Sequence, residues 1–189
     1  MLPLILDKTF SNQDFTKTSL DKAEYDNCTF MGCNFEDCYL SAIQFIECEF
    51  INCNLTNSKL KETTFKDVNF TECKLVGMPF YECNLFLFSV TFSLCNLGLA
   101  VFNNLKLKST TFKDSSLQQT DFAEADLTQS TFDNCNLQDA IFENTILEAA
   151  DFRTAYNINF NPNVNKLKGA KFSKSNIEGL LSMHQIVIE

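Results

Sequence analysis

The sequence predicts one internally repetitive domain built on a five-residue unit, and three observations carry that expectation. Large apolar residues recur at every fifth position, small residues precede them by two, and all nine cysteines fall in the small-residue slot. From Phe10 to Leu85 all 16 positions spaced by five are Phe, Leu or Tyr. A seven-residue step follows, and the register resumes at Phe92 and holds for 13 positions to Phe152. Of these 29 centres, 24 have Ala, Cys, Ser, Thr or Val two residues earlier; Lys8, Gln13, Ile43, Met78 and Leu105 are the exceptions.

The cysteines come next, because stretches such as "CTFMGCNFEDC" imitate ligand spacing. Cys28, Cys33, Cys38, Cys48, Cys53, Cys73, Cys83, Cys95 and Cys135 all obey the repeat. Chance would place nine residues in one slot of five roughly once in two million trials. No C-x2-C pair of the kind zinc sites use occurs. Free Cys packs as a small apolar residue, so the expected role is filling space beside Phe and Leu, without a metal or cofactor.

At 189 residues and 45% hydrophobic content the chain suits one domain with a real core. No run of about 18 apolar residues could span a bilayer, and "MLPLILDKTF" lacks the basic start of a secretion signal. A cytoplasmic location is expected, where the odd number of cysteines stays mostly reduced. The net charge of −9, with no large basic block, argues against direct binding of nucleic acid.

The five-residue period matches neither an amphipathic helix, nor strand alternation, nor a six-residue solenoid. Segments such as "AEADLTQSTFDNCNLQDAIFENTILEAADF" resemble the pentapeptide-repeat family, A-(D/N)-L-x-x, over at least residues 16–152. The resemblance implies an all-β fold, a right-handed quadrilateral β-helix (β-solenoid) of about seven to eight coils, with 20 residues per coil. Columns at that spacing agree: Phe92, Phe112, Phe132, Phe152 and Phe172 form one, and Leu107, Leu127, Leu147 and Leu167 another.

The organisation expected is a repeat region over residues 1–177, with an irregular first turn at 1–15 and a register shift at Phe86 and Leu87. That extra apolar pair is expected to form a local kink or bulge between two stacks, tucking against the rod, or to meet a partner. Asn157 and Pro162 interrupt the last coil before Leu167, Phe172 and Ile177 return to register. Residues 178–189 then read as a cap helix, with Ser175 or Asn176 near its N-cap, and a β-like tail from Ile186 to Ile188. Ile177, Leu180, Leu181, Met183 and Ile186 make an apolar patch that lids the last coil or joins two copies end to end.

Charge is banded. Asp114, Asp121, Glu124, Asp126, Asp133, Asp139, Glu143, Glu148 and Asp151 lie in a stretch without Lys or Arg. Such a band either keeps the rod soluble or presents an acidic face to a basic, DNA-binding groove. The tail "NINFNPNVNKLKGAKFSKSNIEGLLSMHQIVIE" is similar to terminal segments of microcin-immunity and quinolone-resistance pentapeptide proteins. That similarity implies a homodimeric DNA mimic acting on DNA gyrase or topoisomerase IV, dimerising through its C-terminal end. The alternative is a structural or scaffolding repeat protein with an unrelated partner. Catalysis has no support: His184 is the sole histidine, without a relay beside it, and no phosphate-cradling glycine loop exists.

Overall fold

Most five-residue units turn a corner because the second residue after the inward centre adopts left-handed backbone. Asn27 (φ 50°), Gly32 (φ 62°), Asp37 (φ 55°) and Ala42 (φ 55°) do so in succession after Tyr25, Phe30, Phe35 and Leu40. Asn, Asp and Gly bear that conformation at low cost, which explains their abundance at these positions. The computed structural model describes residues 2–186. In it the chain winds as a four-sided β-solenoid whose parallel rungs pair residues one coil apart.

Side one begins with β1 (Leu4–Leu6), β3 (Glu24–Asp26), β5 (Gln44–Ile46) and β7 (Thr64–Lys66). Side two stacks β2 (Thr9–Ser11), β4 (Thr29–Met31), β6 (Glu49–Ile51), β8 (Val68–Thr71), β9 (Val90–Ser93), β10 (Thr111–Lys113) and β11 (Thr131–Asp133), continued by bridges to Asp151 and Lys171. Seven strands and two bridged residues make nine rungs, hence eight circuits, as the 20-residue coil requires. Sides three and four are held by single bridges, such as Asn34↔Asn54 and Val101↔Asp121.

Register follows the aromatic columns. Phe10, Phe30, Phe50, Phe70, Phe92, Phe112, Phe132, Phe152 and Phe172 form an unbroken stack on side two, with ring centroids between 4.7 and 5.4 Å apart. From Phe80 a second stack rises on side four through Phe102, Phe122 and Phe142. Earlier in the chain the second ring of each layer comes from side one instead, as Tyr25, Phe45 and Phe65.

The small slot does more than save space. Ser58 Oγ donates to the Phe35 carbonyl (2.7 Å), Thr120 Oγ1 to that of Leu97 (2.9 Å) and Ser130 Oγ to that of Leu107 (2.6 Å). Cys48, Cys53 and Cys73 make the same bond through Sγ, at 3.3 Å, to Tyr25, Phe30 and Phe50. The slot therefore suits Cys, Ser and Thr alike: each ties its coil to a centre carbonyl of the coil before, and a buried hydroxyl finds there the partner whose absence would be costly. Eight cysteines are buried and Cys38 is half-buried, all as free thiols. Among the described residues no cluster could hold a metal ion, and no helix is long and apolar enough to cross a membrane.

Three expectations need correction. Residues 4–11 are regular, pairing in register with the second coil (Leu4↔Glu24, Thr9↔Thr29). Lys8 and Gln13 are tolerated there because no described coil covers their slots and both are exposed. Irregular backbone falls later, around Thr16 and Lys17, where Asp14 draws both into a local turn.

The insertion also differs. Leu85 is not an inward centre but 53% exposed; Phe88 turns in instead, 6.3 Å from Phe80. In this coil side four carries Phe80, where the preceding coils carry Leu40 and Leu60, so the layer is filled and Leu85 is expelled. Phe86, 76% exposed, does not tuck against the rod. Side one consequently loses a rung: its bridges run Thr64↔Asn84 and then Lys106↔Asp126.

At the C-terminal end Ile158 and Phe160 fill the last coil where Asn157 was the expected centre, and Asn165 Nδ2 donates to the Phe142 carbonyl (2.8 Å). Ile177 does not return to register and is 45% exposed. The cap is not one helix but two short 3-10 turns, Ile177–Leu180 and Ser182–His184. Asn176 does occupy the N-cap position, yet its amide reaches away from the turn to the carbonyls of Phe152 (2.7 Å) and Ala155 (3.0 Å). The anticipated tail has no strand at Ile186, and its remainder, Val187 and Ile188, lies outside the described residues.

Candidate functional site

The nine acids of the C-terminal half do not share a side. Asp126 and Glu148 lie on side one; Asp133 and Asp151 lie on side two, with Asp114 at the corner after it. Asp121 and Glu143 belong to side four, Glu124 to its corner, and Asp139 to the corner after side three. The anticipated acidic face is thus a collar. The reason is arithmetic: successive units occupy successive sides, and no two of these acids are 20 residues apart. Their column neighbours are neutral or basic, as with Asp121 over Ile141 and Asp133 over Arg153.

Several of the carboxylates serve the local backbone: Asp121 accepts from the Ala123 N–H (2.8 Å), Asp126 from that of Thr128 (3.2 Å) and Asp151 from that of Arg153 (3.1 Å). Asp114 instead accepts from the Asn134 side chain of the next coil (2.7 Å). Asp126 is half-buried; burial pushes its carboxyl up, but hydrogen bonds from Thr128 and from Lys108 (3.2 Å) outweigh that and hold it below its ordinary value. Arg153, gripping Asp151 at 2.7 Å, holds that carboxyl low as well. Glu124, Asp139 and Glu143 are exposed.

The C-terminal patch divides in two. Leu180 is buried in the core and lids the last coil, so it is not available to a partner. Gly179 allows this approach, since a Cβ there would collide with the Ile158 carbonyl oxygen. Ile177 and Ile186 point outward, Leu181 is half-buried, and Met183 belongs to the second turn. His184 is exposed on the same turn.

A family model for the pentapeptide repeat region matches residues 43–122 and 86–181. The chain belongs to the pentapeptide-repeat family. Among solved structures this pentapeptide-repeat protein is similar to QnrB1, a plasmid-mediated fluoroquinolone resistance protein. For one trypsin-treated variant of QnrB1 the TM-score is 0.64 at 15% identity, over 100% of this chain and 99% of that one. For a second trypsin-treated variant the TM-score is 0.55 at 14% identity, over 100% of both chains. At such identity the likeness establishes the fold. Among curated proteins no sequence matches.

The pentapeptide-repeat rod carries a further surface that the five-residue count does not reveal. Residues 83–105 contain no charged side chain. In that coil Tyr81, Leu85, Phe86, Leu87, Leu94 and Leu99 are 48–76% exposed. Leu87, Leu94 and Leu99 occupy left-handed corners (φ 59°, 56° and 60°), where other coils mostly place Asn, Asp, Glu, Gln or Gly. The signal is present in the sequence as a charge-free gap, but it becomes legible only once the corner positions are known.

Proposed function

We propose that this pentapeptide-repeat protein is a non-enzymatic, cytoplasmic binding protein. Its acidic C-terminal half competes with DNA for a type II topoisomerase, DNA gyrase or topoisomerase IV, and modulates that enzyme or shields it from toxins or quinolones. The observation that carries the reading is the net charge of −9, with nine acids and no base between Asp114 and Asp151, on a narrow rod. The fold shared with a fluoroquinolone resistance protein along its whole length supports it. Homodimerisation through Ile177, Leu181, Met183 and Ile186 would double the length of the acidic rod.

The test is gyrase supercoiling with and without a fluoroquinolone, on the native protein and on a variant with Glu124, Asp139 and Glu143 changed to the amides. Inhibition or rescue that the amides weaken supports mimicry. No effect at micromolar protein, or identical behaviour of both proteins, refutes it. A second reading, a scaffolding rod with an unrelated partner, is favoured by one observation: the acids encircle the rod, and Asp121, Asp126 and Asp151 accept from the N–H two residues on in their own turns rather than aligning on one side.

A further inference from the structure

We infer that the uncharged coil is a self-association surface, its occupant a second copy of this chain packed across side one about a two-fold axis. This inference does not rest on the topoisomerase reading. Phe86 stands out from side one at 76% exposure, flanked by Leu85 and Leu87. Beside it, where the rung between Asn84 and Lys106 is missing, lies a hollow of about 170 Å³ lined by Leu85, Phe88, Asn104, Leu105 and Lys106. An apolar cavity of about 150 Å³ holds a benzene ring, so the hollow matches a phenyl side chain. Knob and hollow adjoin on one side of the rod, as an isologous contact requires: each copy inserts Phe86 into the other. Lys106, one of the lining residues, would supply a cation to the inserted ring.

Charge permits this occupant. Two chains of net charge −9 repel along most of their length, and the 23 residues from Cys83 to Leu105 carry no charge, so two copies meet there without opposing carboxylates. The area fits a weak contact. Leu85, Phe86 and Leu87 expose on the order of 400 Å² per copy, and with the hollow's rim the pair would bury roughly 1,000 Å², near the lower bound for a specific interface. A concentration-dependent dimer is therefore expected, not an obligate one. Leucine at the left-handed corner Leu87 (φ 59°), which closes side one, is unfavourable for the isolated chain, and contact with a partner supplies a reason for it.

Sedimentation equilibrium across the micromolar range tests this. Three variants are compared with the native chain: Phe86→Ser, which removes the knob; Asn104→Trp, which fills the hollow; and Ile177→Ser with Ile186→Ser, which alters the C-terminal end. Both side chains in the first two lie outside the core, so circular dichroism should show the native fold. Phe86→Ser and Asn104→Trp should each weaken association at least tenfold, while the C-terminal variant leaves this contact intact. A native protein that stays monomeric throughout overturns the inference. So does a dimer indifferent to both side-one variants, including one that only the C-terminal variant dissolves. Topoisomerase activity is not read in this experiment, so its failure would leave the mimicry reading standing, and the reverse.

Discussion

Replacing Phe112 with Ala removes a ring from the middle of the side-two stack. Phe112 is fully buried, with parallel neighbours Phe92 at 5.3 Å and Phe132 at 5.0 Å and edge contacts to Phe102 at 6.1 Å and Phe122 at 5.7 Å. Phe to Ala in a packed core costs about 3–5 kcal/mol, since the lost transfer energy is joined by a cavity that neighbours fill only partly. Here relaxation is restricted, because each flanking ring is itself fixed by the next. We expect a loss of about 4 kcal/mol, a large fraction of the roughly 5–15 kcal/mol that stabilises an ordinary domain. Urea unfolding followed by circular dichroism measures it as a shift in midpoint at constant slope. Phe172→Ala is the control: it is half-buried, with one stacked neighbour, Phe152, at 5.2 Å. It should cost about half as much. A loss below about 2 kcal/mol at Phe112, or equal losses at both positions, would refute the claim that stacked columns hold the rod together.

Other outcomes follow from the slots, corners and cap. Burial pushes the Cys48 and Cys135 thiols up to about 12 from 9.0, so the folded chain keeps protons that the unfolded chain releases. Their stabilisation is complete below about pH 9 and is lost as pH rises toward 12, by about 1.4 kcal/mol per thiol at pH 10; melting temperatures between pH 8 and 10 check the sign. With a thiol reagent at pH 8, Cys38 should react first and the eight buried thiols only after denaturation. Leu94→Asn relieves a left-handed leucine and should raise stability by about 0.5–1 kcal/mol in thermal melts; a decrease would show that Leu94 packs within the monomer. Gly179→Ala sets a methyl against the Ile158 carbonyl and should unseat Leu180, detected as faster amide exchange in the last coil with the central coils unchanged.

Much of the fold was legible because one rule repeats. Apart from Leu85, every centre from Tyr25 to Phe152 is buried where the count of five placed it. The rule misled where a residue's neighbours in space, 20 positions away, outweighed its neighbours in sequence. Leu85 kept the right spacing, yet Phe80 on side four and Phe88, the residue just beyond the next corner, had taken its volume. Lys8 broke the pattern harmlessly, since nothing described lies over its slot. The acids looked like one face because they are close in sequence, while the coil deals them to four sides. The hydrogen bond from slot to carbonyl was hidden for a different reason: a thiol reads as an apolar filler until the carbonyl it meets is in place. At the chain's end, two 3-10 turns have no periodicity long enough to distinguish them from a helix.

The missing rung between Asn84 and Lys106 gives the rod a direction of weakness. At that level the other three sides stay bridged, through Lys74↔Asn96, Pro79↔Val101 and the pairing of β8 with β9. A beam notched on one flank flexes about its intact flanks, so curvature should develop in a single plane, opening or closing side one, while extension and torsion remain stiff. A rod that must conform to a curved partner thereby gains compliance at its waist, with its two halves kept rigid as levers.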